Sequence, residues 1–266
     1  TKKFTWSVNG NFTKFKSIVT KLAPGVSVIT LAGFTTPNVR LMEGEEYGMI
    51  YGNMYQRHAN GQLLLGPNGL PLPTNSVFKI GNPNPKFTLG ITNTFTYGDF
   101  TLDVLLDIRN GGDLYSRNLA DLRRNGVAIE TAEKPRLDKD GVTYLTNYQF
   151  EGVDVNGNPV NVPITAEQYW GNSGKYVAAE GYIVNTSWVR VREANLFYKM
   201  PRSLTEKTPF SNIELGVFGR NLFLWTKDYP HLDPEQNVLG LSNIQGLEFN
   251  ANLSTRTMGL SLRLTL

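Results

Sequence analysis

Thr257-Met258-Gly259-Leu260-Ser261-Leu262-Arg263-Leu264-Thr265-Leu266 alternates without a break. Met258, Leu260, Leu262, Leu264 and Leu266 share one parity; Thr257, Gly259, Ser261, Arg263 and Thr265 share the other. A period of two sends the first set to one face of a β-strand and the second set to the opposite face. The apolar face is purely aliphatic, and the other carries hydroxyls, a glycine and an arginine. A soluble sandwich could bury such a face too, so one strand decides little. The pattern recurs, however, at the length of roughly 9–11 residues that a tilted crossing of a bilayer needs.

Working outward, Phe4, Trp6, Val8 and Phe12 alternate with Thr5, Ser7, Asn9, Asn11 and Thr13. The cleanest unit lies further on. Phe87, Leu89, Ile91, Phe95 and Tyr97 share one face, interrupted by Asn93; Phe100, Leu102, Val104, Leu106 and Ile108 share the face of the next strand. Gly98-Asp99 between them is a two-residue hairpin turn, which predicts Tyr97 and Phe100 as a cross-strand pair. The opposite face carries Asp103, Asp107 and Arg109, charges that need water. Trp188–Tyr198 and Ile213–Trp225 are strand-like with phase changes, the first predicted as a bulge near Arg192-Glu193 and the second near Gly219. Val39–Tyr55 is an untidier strand region whose glycines permit bending.

Composition narrows the classes. A formal charge of +3 over 266 residues implies no basic patch and argues against nucleic acid as a partner. Cysteine is absent, which removes disulfides and thiolate metal sites. No run approaches 18 apolar residues, so a transmembrane helix is excluded while a membrane barrel, with half-apolar strands, is not. The start at Thr1-Lys2-Lys3-Phe4, with no initiator Met or signal peptide, suggests a fragment or a processed piece.

The connections sort themselves. Long segments at about 57–86, 110–185 and 227–252 alternate with short ones, as in an outer-membrane barrel with long outer loops and short periplasmic turns. This predicts about seven crossings, with Leu266 in the periplasm and Thr1 at the outer face. Seven strands cannot close a single-chain bacterial barrel, whose strand number is even and about 8 or more. The chain is therefore expected to be part of a larger wall, with Phe4–Thr13 and Leu253–Leu266 as its edge strands. Asp113 is expected to cap a short helix through Arg124, and Thr165 with Gln168 to form a capping box.

Four stretches in order resemble the SusC/RagA-type TonB-linked outer-membrane transporters. They are Gly81-Asn82-Pro83-Asn84-Pro85-Lys86-Phe87, with Gly90 and Tyr97; Trp188-Val189-Arg190-Val191-Arg192, running on to Leu196-Phe197-Tyr198-Lys199-Met200-Pro201; Gly219-Arg220-Asn221-Leu222-Phe223-Leu224-Trp225-Thr226; and Asp233-Pro234-Glu235. The match to the last part of that family is specific over residues 81–266 and looser over 1–80. Leu266 departs from the aromatic final residue such barrels favour. The resemblance implies an all-β fold, a transmembrane antiparallel β-barrel of about 22 strands with an N-terminal plug. It implies TonB-driven import of oligosaccharides or oligopeptides across the outer membrane of a Gram-negative bacterium of Bacteroidetes type. It also implies a SusD-like surface lipoprotein over the mouth. The plug, the segment that contacts TonB and the remaining wall would lie outside this chain.

Candidate substrate-binding residues each carry a plainer reading. Asp103, Asp107 and Arg109 would line a substrate path, or are lumen charges that pair with neighbours. Tyr169, Trp170 and Tyr176 would stack on sugar rings, or pack the long loop against itself or the lipoprotein. Asp138-Lys139-Asp140-Gly141 and Asp154-Val155-Asn156-Gly157-Asn158 lack the full calcium-loop spacing and read as turns. Asp233 and Glu235 read as a structural loop and His231 as an exposed neighbour. Trp6, Tyr97, Phe100, Tyr198 and Trp225 sit at predicted strand ends, where an aromatic girdle belongs. No nucleophile elbow, phosphate loop or metal cluster is present, so no catalytic residue, metal or cofactor is assigned and the chain is not read as an enzyme. The alternatives are a soluble all-β binding or adhesion module, which would close its apolar faces into a core, and a passive porin wall, which would lack a plug.

Overall fold

In the computed structural model, which describes residues 3–240 and 242–266, six long strands form one antiparallel sheet. They are β1 (Phe4–Thr13), β2 (Phe87–Tyr97), β3 (Phe100–Asn110), β4 (Trp188–Lys199), β5 (Asn212–Thr226) and β6 (Thr257–Thr265). Each pairs with the next in chain order, so the sheet is a meander edged by β1 and β6. Gly98 takes φ 61° in the β2–β3 turn, where a side chain would be strained, and Tyr97 pairs with Phe100 as the hairpin reading requires.

Register carries the two faces across the whole sheet. Val8 sits opposite Asn93, Phe95 opposite Leu102, Leu102 opposite Leu196, Leu196 opposite Val217 and Val217 opposite Leu260. All of these lie on the apolar side, and that side is uncovered: Leu260 is 83% and Leu262 61% exposed. A soluble sandwich would bury this face. Asn93, its one polar intruder in β2, accepts a hydrogen bond from Trp6 Nε1 at 3.2 Å. Aromatic rings gather at both ends. Trp6 stacks on Phe95 at 6.0 Å and Phe100 packs on Tyr198 at 4.8 Å at the turn end. Phe12 meets Phe87 at 5.6 Å at the other end, where Phe223 and Trp225 are also exposed.

The sheet has six long strands where about seven crossings were expected. Val39–Tyr55 does not cross; it splits into Asn38–Leu41 and Met49–Gly52 inside a separate four-stranded sheet with Ile29–Gly33 and Phe78–Gly81. Positive φ at Gly44 and Gly48 permits that split. The first long connection thus begins at residue 14 rather than 57. The even count puts Phe4, paired with Tyr97, at the short-turn end with Leu264. The expected outer position of Thr1 lies outside the described residues, but the strand leading from it starts at the opposite end.

The three long connections, 14–86, 111–187 and 227–256, leave the same end of the sheet and fold together as a cap. Their shared core takes Val39 and Ile50 from the first, Tyr115, Trp170 and Tyr182 from the second and Leu247 from the third. Leu247–Glu248 pairs with Asp113–Ser116, which also pairs with Ile183–Asn185. Helix α1 (Arg117–Arg124) is capped by Ser116 Oγ, which accepts from Leu119 N at 3.2 Å; Asp113, expected in that role, lies in the preceding strand. Helix α2 (Ala166–Trp170) begins with the expected capping box of Thr165 and Gln168. Asp140 and Asp154 each accept two backbone N–H bonds within their own loops, the geometry of Asx turns.

Candidate functional site on the polar face

The four motifs separated in sequence converge where the polar face of the wall meets the cap. The bulge in β4 is the first cause. Val191 pairs with Leu106 and Glu193 with Leu105, so Arg192 is an extra residue on its strand. Arg190, Arg192 and Glu193 therefore all serve the polar face, instead of alternate ones. The second phase change falls at Asn221-Leu222, just beyond Gly219, where two β5 residues oppose Arg192 alone. Asn221 takes φ 52°, a left-handed conformation asparagine tolerates.

Arg190 is 1% exposed, and the loop carrying Asp233-Pro234-Glu235 reaches in to meet it. Its Nη2 donates to Asp233 Oδ1 at 2.5 Å, and its Nη1 lies 3.1 Å from Glu235 Oε2 and 3.3 Å from Asn221 Oδ1. Arg192 donates to both Glu235 oxygens at 2.8 and 2.6 Å, and through Nε to Asp107 Oδ2 at 3.1 Å. Asp233 also accepts from Ser254 Oγ and from Glu235 N. Burial pushes the Asp233 carboxyl up, but Arg190, Ser254 and the Glu235 N–H outweigh it and hold the group below its ordinary value. Spacing of two across a proline is what lets both carboxylates reach the arginine pair.

The Asn-Pro-Asn-Pro turn is tied into the same corner. Arg109 Nη2 donates to Pro83 O at 2.7 Å and its guanidinium lies 5.2 Å over the Trp188 ring. Asn82 N donates to Asp113 Oδ2 at 2.9 Å, and burial raises the Asp113 carboxyl. A nook of about 180 Å³ remains between Pro83, Arg109, Asp113, Trp188, Glu235 and Gln236. Asp107 and Arg109 thus join wall to cap.

Asp103 lies further toward the turn end, accepting from Thr94 Oγ1 at 2.6 Å. It borders an open recess of about 520 Å³ with Glu193, Asn195, Phe197, Phe218, Arg220 and Arg263. Arg220 lies over Phe218 and Arg263 over Phe197, at 5.7 and 5.5 Å, while pairing with Glu193 and Glu214. The sequence reading missed Phe197 and Phe218. Their signal was parity: both fall on the polar phase of otherwise alternating strands.

The structure sets the aromatic trio apart from this face. Trp170 and Tyr176 are 7% and 4% exposed in the cap core, and Tyr169 stacks on Phe150 at 4.6 Å. Their rings are taken up by packing rather than displayed. Lys175 Nζ lies 4.8 Å over Trp170; burial, with Arg123 nearby, pulls this ammonium down to about 8. His231 is not a free loop residue: Nε2 meets Glu130 Oε2 at 2.8 Å, joining the second and third long connections. Burial opposes ionisation of Glu130, yet His231 and Arg123 hold it down at about 2.

The chain thus forms an amphipathic meander with one uncovered apolar face, a charged opposite face and a folded cap at one end. No family model matches the chain. The chain is 27% identical over 291 residues to TonB-dependent receptor P3 of Formosa agariphila, covering 98% of this chain and 27% of that protein. Among solved structures, the RagAB peptide transporter superposes with a TM-score of 0.61 at 16% identity, covering 98% of this chain and 27% of that one. The RagAB peptide importer in its open-open state gives 0.61 and 99% coverage of this chain. The resemblance to SusC/RagA-type TonB-linked transporters read from the sequence is borne out, and the chain spans about a quarter of the length of these relatives.

Proposed function

We propose that this chain is a wall segment and outer cap of a TonB-dependent outer-membrane transporter of a Gram-negative bacterium, one that imports oligopeptides or oligosaccharides. The observation that carries the reading is the pairing of an uncovered apolar face with a charged, recessed face across six registered strands. Hydrocarbon satisfies the first and an aqueous lumen the second. The wall would be completed to about 22 strands, around a plug, by chain outside these residues. TonB would act through that outside part. A SusD-like lipoprotein would dock on the cap formed by 111–187 and 227–256.

Cargo would pass the recess around Asp103. Phe197 and Phe218 offer ring faces to sugars or apolar side chains, and Arg220, Arg263 and Glu193 offer charges to peptide groups. Asp107 and Arg109 would position the cap over that path, and Tyr169, Trp170 and Tyr176, packed within the cap, would hold its shape and not touch cargo. The name of the RagAB peptide transporter favours peptide cargo by analogy.

The test uses the full-length protein in its outer membrane. Labelled oligopeptide and oligosaccharide pools should accumulate with intact TonB and not in a TonB-deleted strain. Deleting residues 155–180 should reduce co-purification of the lipoprotein while the barrel stays folded. TonB-independent uptake would favour a passive pore and overturn the reading.

A further inference from the structure

At the cap end of the β1–β2 pair, a recess of about 570 Å³ gathers three lysines and three phenylalanines: Lys14, Lys16, Lys86, Phe12, Phe15 and Phe87. We infer that this recess binds the phosphate of an anionic lipid in the outer leaflet, with Lys14, Lys16 and Lys86 on the phosphate and Phe12, Phe15 and Phe87 against the acyl-chain boundary.

Position is the first argument. Phe12 and Phe87 pack at 5.6 Å on the apolar face, and the opposite belt holds Trp6, Phe95 and Tyr97. Tyr97 to Phe87 is ten residue steps along β2, about 33 Å of strand and so about 25 Å of height at a tilt near 40°. That is the height of the apolar band of an outer-membrane barrel. The recess therefore sits at headgroup depth, on the side bearing the long connections. Phe12 and Phe15 remain 63% and 54% exposed, as rings facing lipid rather than a protein core would be.

Charge is the second. Lys14, Phe15 and Lys16 follow directly on the end of β1 at Thr13 and line the recess together with Phe12. Lys16 Nζ lies 3.9 Å from Glu46 Oε1, and Glu46 is also held by Asn82 Nδ2 at 3.1 Å. Among the described residues, the Lys14 and Lys86 ammoniums have no ion-pair partner. Three ammoniums against one carboxylate leave an excess of positive charge beside uncovered apolar surface. Long lysine stems let an ammonium reach headgroups while the methylenes stay on apolar surface. An anion carried on a lipid satisfies both halves of the recess; a free anion satisfies only one.

The inference rests on the outer-membrane reading, but its test is independent of transport. The full-length protein is placed in phosphatidylcholine nanodiscs containing bisphosphorylated lipid A or its dephosphorylated form, and retained lipid is counted by native mass spectrometry. Retention of the phosphorylated lipid is expected, at least tenfold weaker in K14Q/K16Q/K86Q and restored in K14R/K16R/K86R. Inorganic phosphate at millimolar concentration should not displace it. If the triple variant does not fold, judged by heat-modifiable gel mobility, the K14Q/K86Q pair is measured in its place. Equal retention in the folded glutamine variant, equal retention of the dephosphorylated lipid, or displacement by inorganic phosphate each overturns the lipid-phosphate site. Lost uptake with retained lipid would instead count against the transporter reading alone.

Discussion

The wall and the cap use the same residue types in opposite ways. In β6, Leu260 stands 83% exposed; in the cap, Leu247 is 1% exposed. Aromatic rings on the wall's uncovered face gather at its two rims, while Trp170, Tyr176 and Tyr182 are interior. The cap behaves like a small soluble domain that drives apolar groups inward. The wall behaves as though its solvent were apolar on one side. Where the two meet, neither solution works alone, and buried charge takes over.

Breaking that junction should have the largest effect. Asp233→Ala leaves the Arg190 guanidinium buried without its main carboxylate. Losing one member of a buried pair costs about 3–5 kcal/mol. Hydrogen exchange on the full-length protein should show the 227–256 segment opening, with the β2–β3 hairpin still protected. Unchanged protection in 227–256 would mean Glu235 alone anchors the loop.

A charge on the apolar face comes next and tests the wall's solvent directly. Met258→Arg, on the Gly219–Ala194–Val104–Asn93 row midway along the strands, should cost roughly 2–4 kcal/mol for protein folded into phospholipid vesicles. At an exposed position in water the same change should fall within about 0.5 kcal/mol. A cost near zero in vesicles would remove the contrast between wall and cap.

The cap supplies the third. The Lys175 ammonium is lowered from 10.5 to about 8, first by burial and then by Arg123. Between those values the unfolded chain binds more protons than the folded one, so stability rises with pH across the window from about 8 to 10.5. Below about 8 the full penalty is present. Lys175→Met should therefore stabilise the cap at neutral pH by about 1–2 kcal/mol, the relief of burial being offset in part by the lost cation–π contact with Trp170. It should also flatten the alkaline rise in cap protection measured by hydrogen exchange. A destabilised cap in Lys175→Met would assign the ammonium a binding role instead.

The wall was legible because period two survives any tertiary context. The β2–β3 hairpin, β1 and the Arg192 bulge follow from parity, as does β6, though over Thr257–Thr265 and not from Leu253. The cap was not, because its short strands fall below the length at which alternation means anything. Val39–Tyr55 read as a crossing because it holds enough apolar residues for one. It turns back because Gly44 and Gly48 take positive φ and because Val39 and Ile50 are claimed by the cap core. Ser116 displaced Asp113 as a cap for the same kind of reason: Asp113 is held by Asn82, a contact thirty-one positions away in sequence. The candidate site was half legible. Its motifs were visible one by one, but nothing in a spacing of forty-three residues announces that Arg190 meets Asp233.

The smallest change is expected at Asn93. Asn93 is a polar residue on the apolar face of β2, opposite Val104 and Val8, and its only side-chain hydrogen bond among the described residues is from Trp6 Nε1 at 3.2 Å. In hydrocarbon its amide has unmet hydrogen-bonding capacity, which costs free energy there and nothing in water. Asn93→Leu removes that cost and also strips Trp6 of its acceptor, so the two changes oppose each other. The balance should be a stabilisation within about 1 kcal/mol in vesicles, larger when Trp6→Phe removes the orphaned indole N–H as well. Equilibrium unfolding of the single and double variants in vesicles measures both. If Asn93→Leu stays within about 0.5 kcal/mol of the parent both with Trp6 and with Trp6→Phe, the amide is wet, and the face that separates wall from cap is not continuous with lipid at β2.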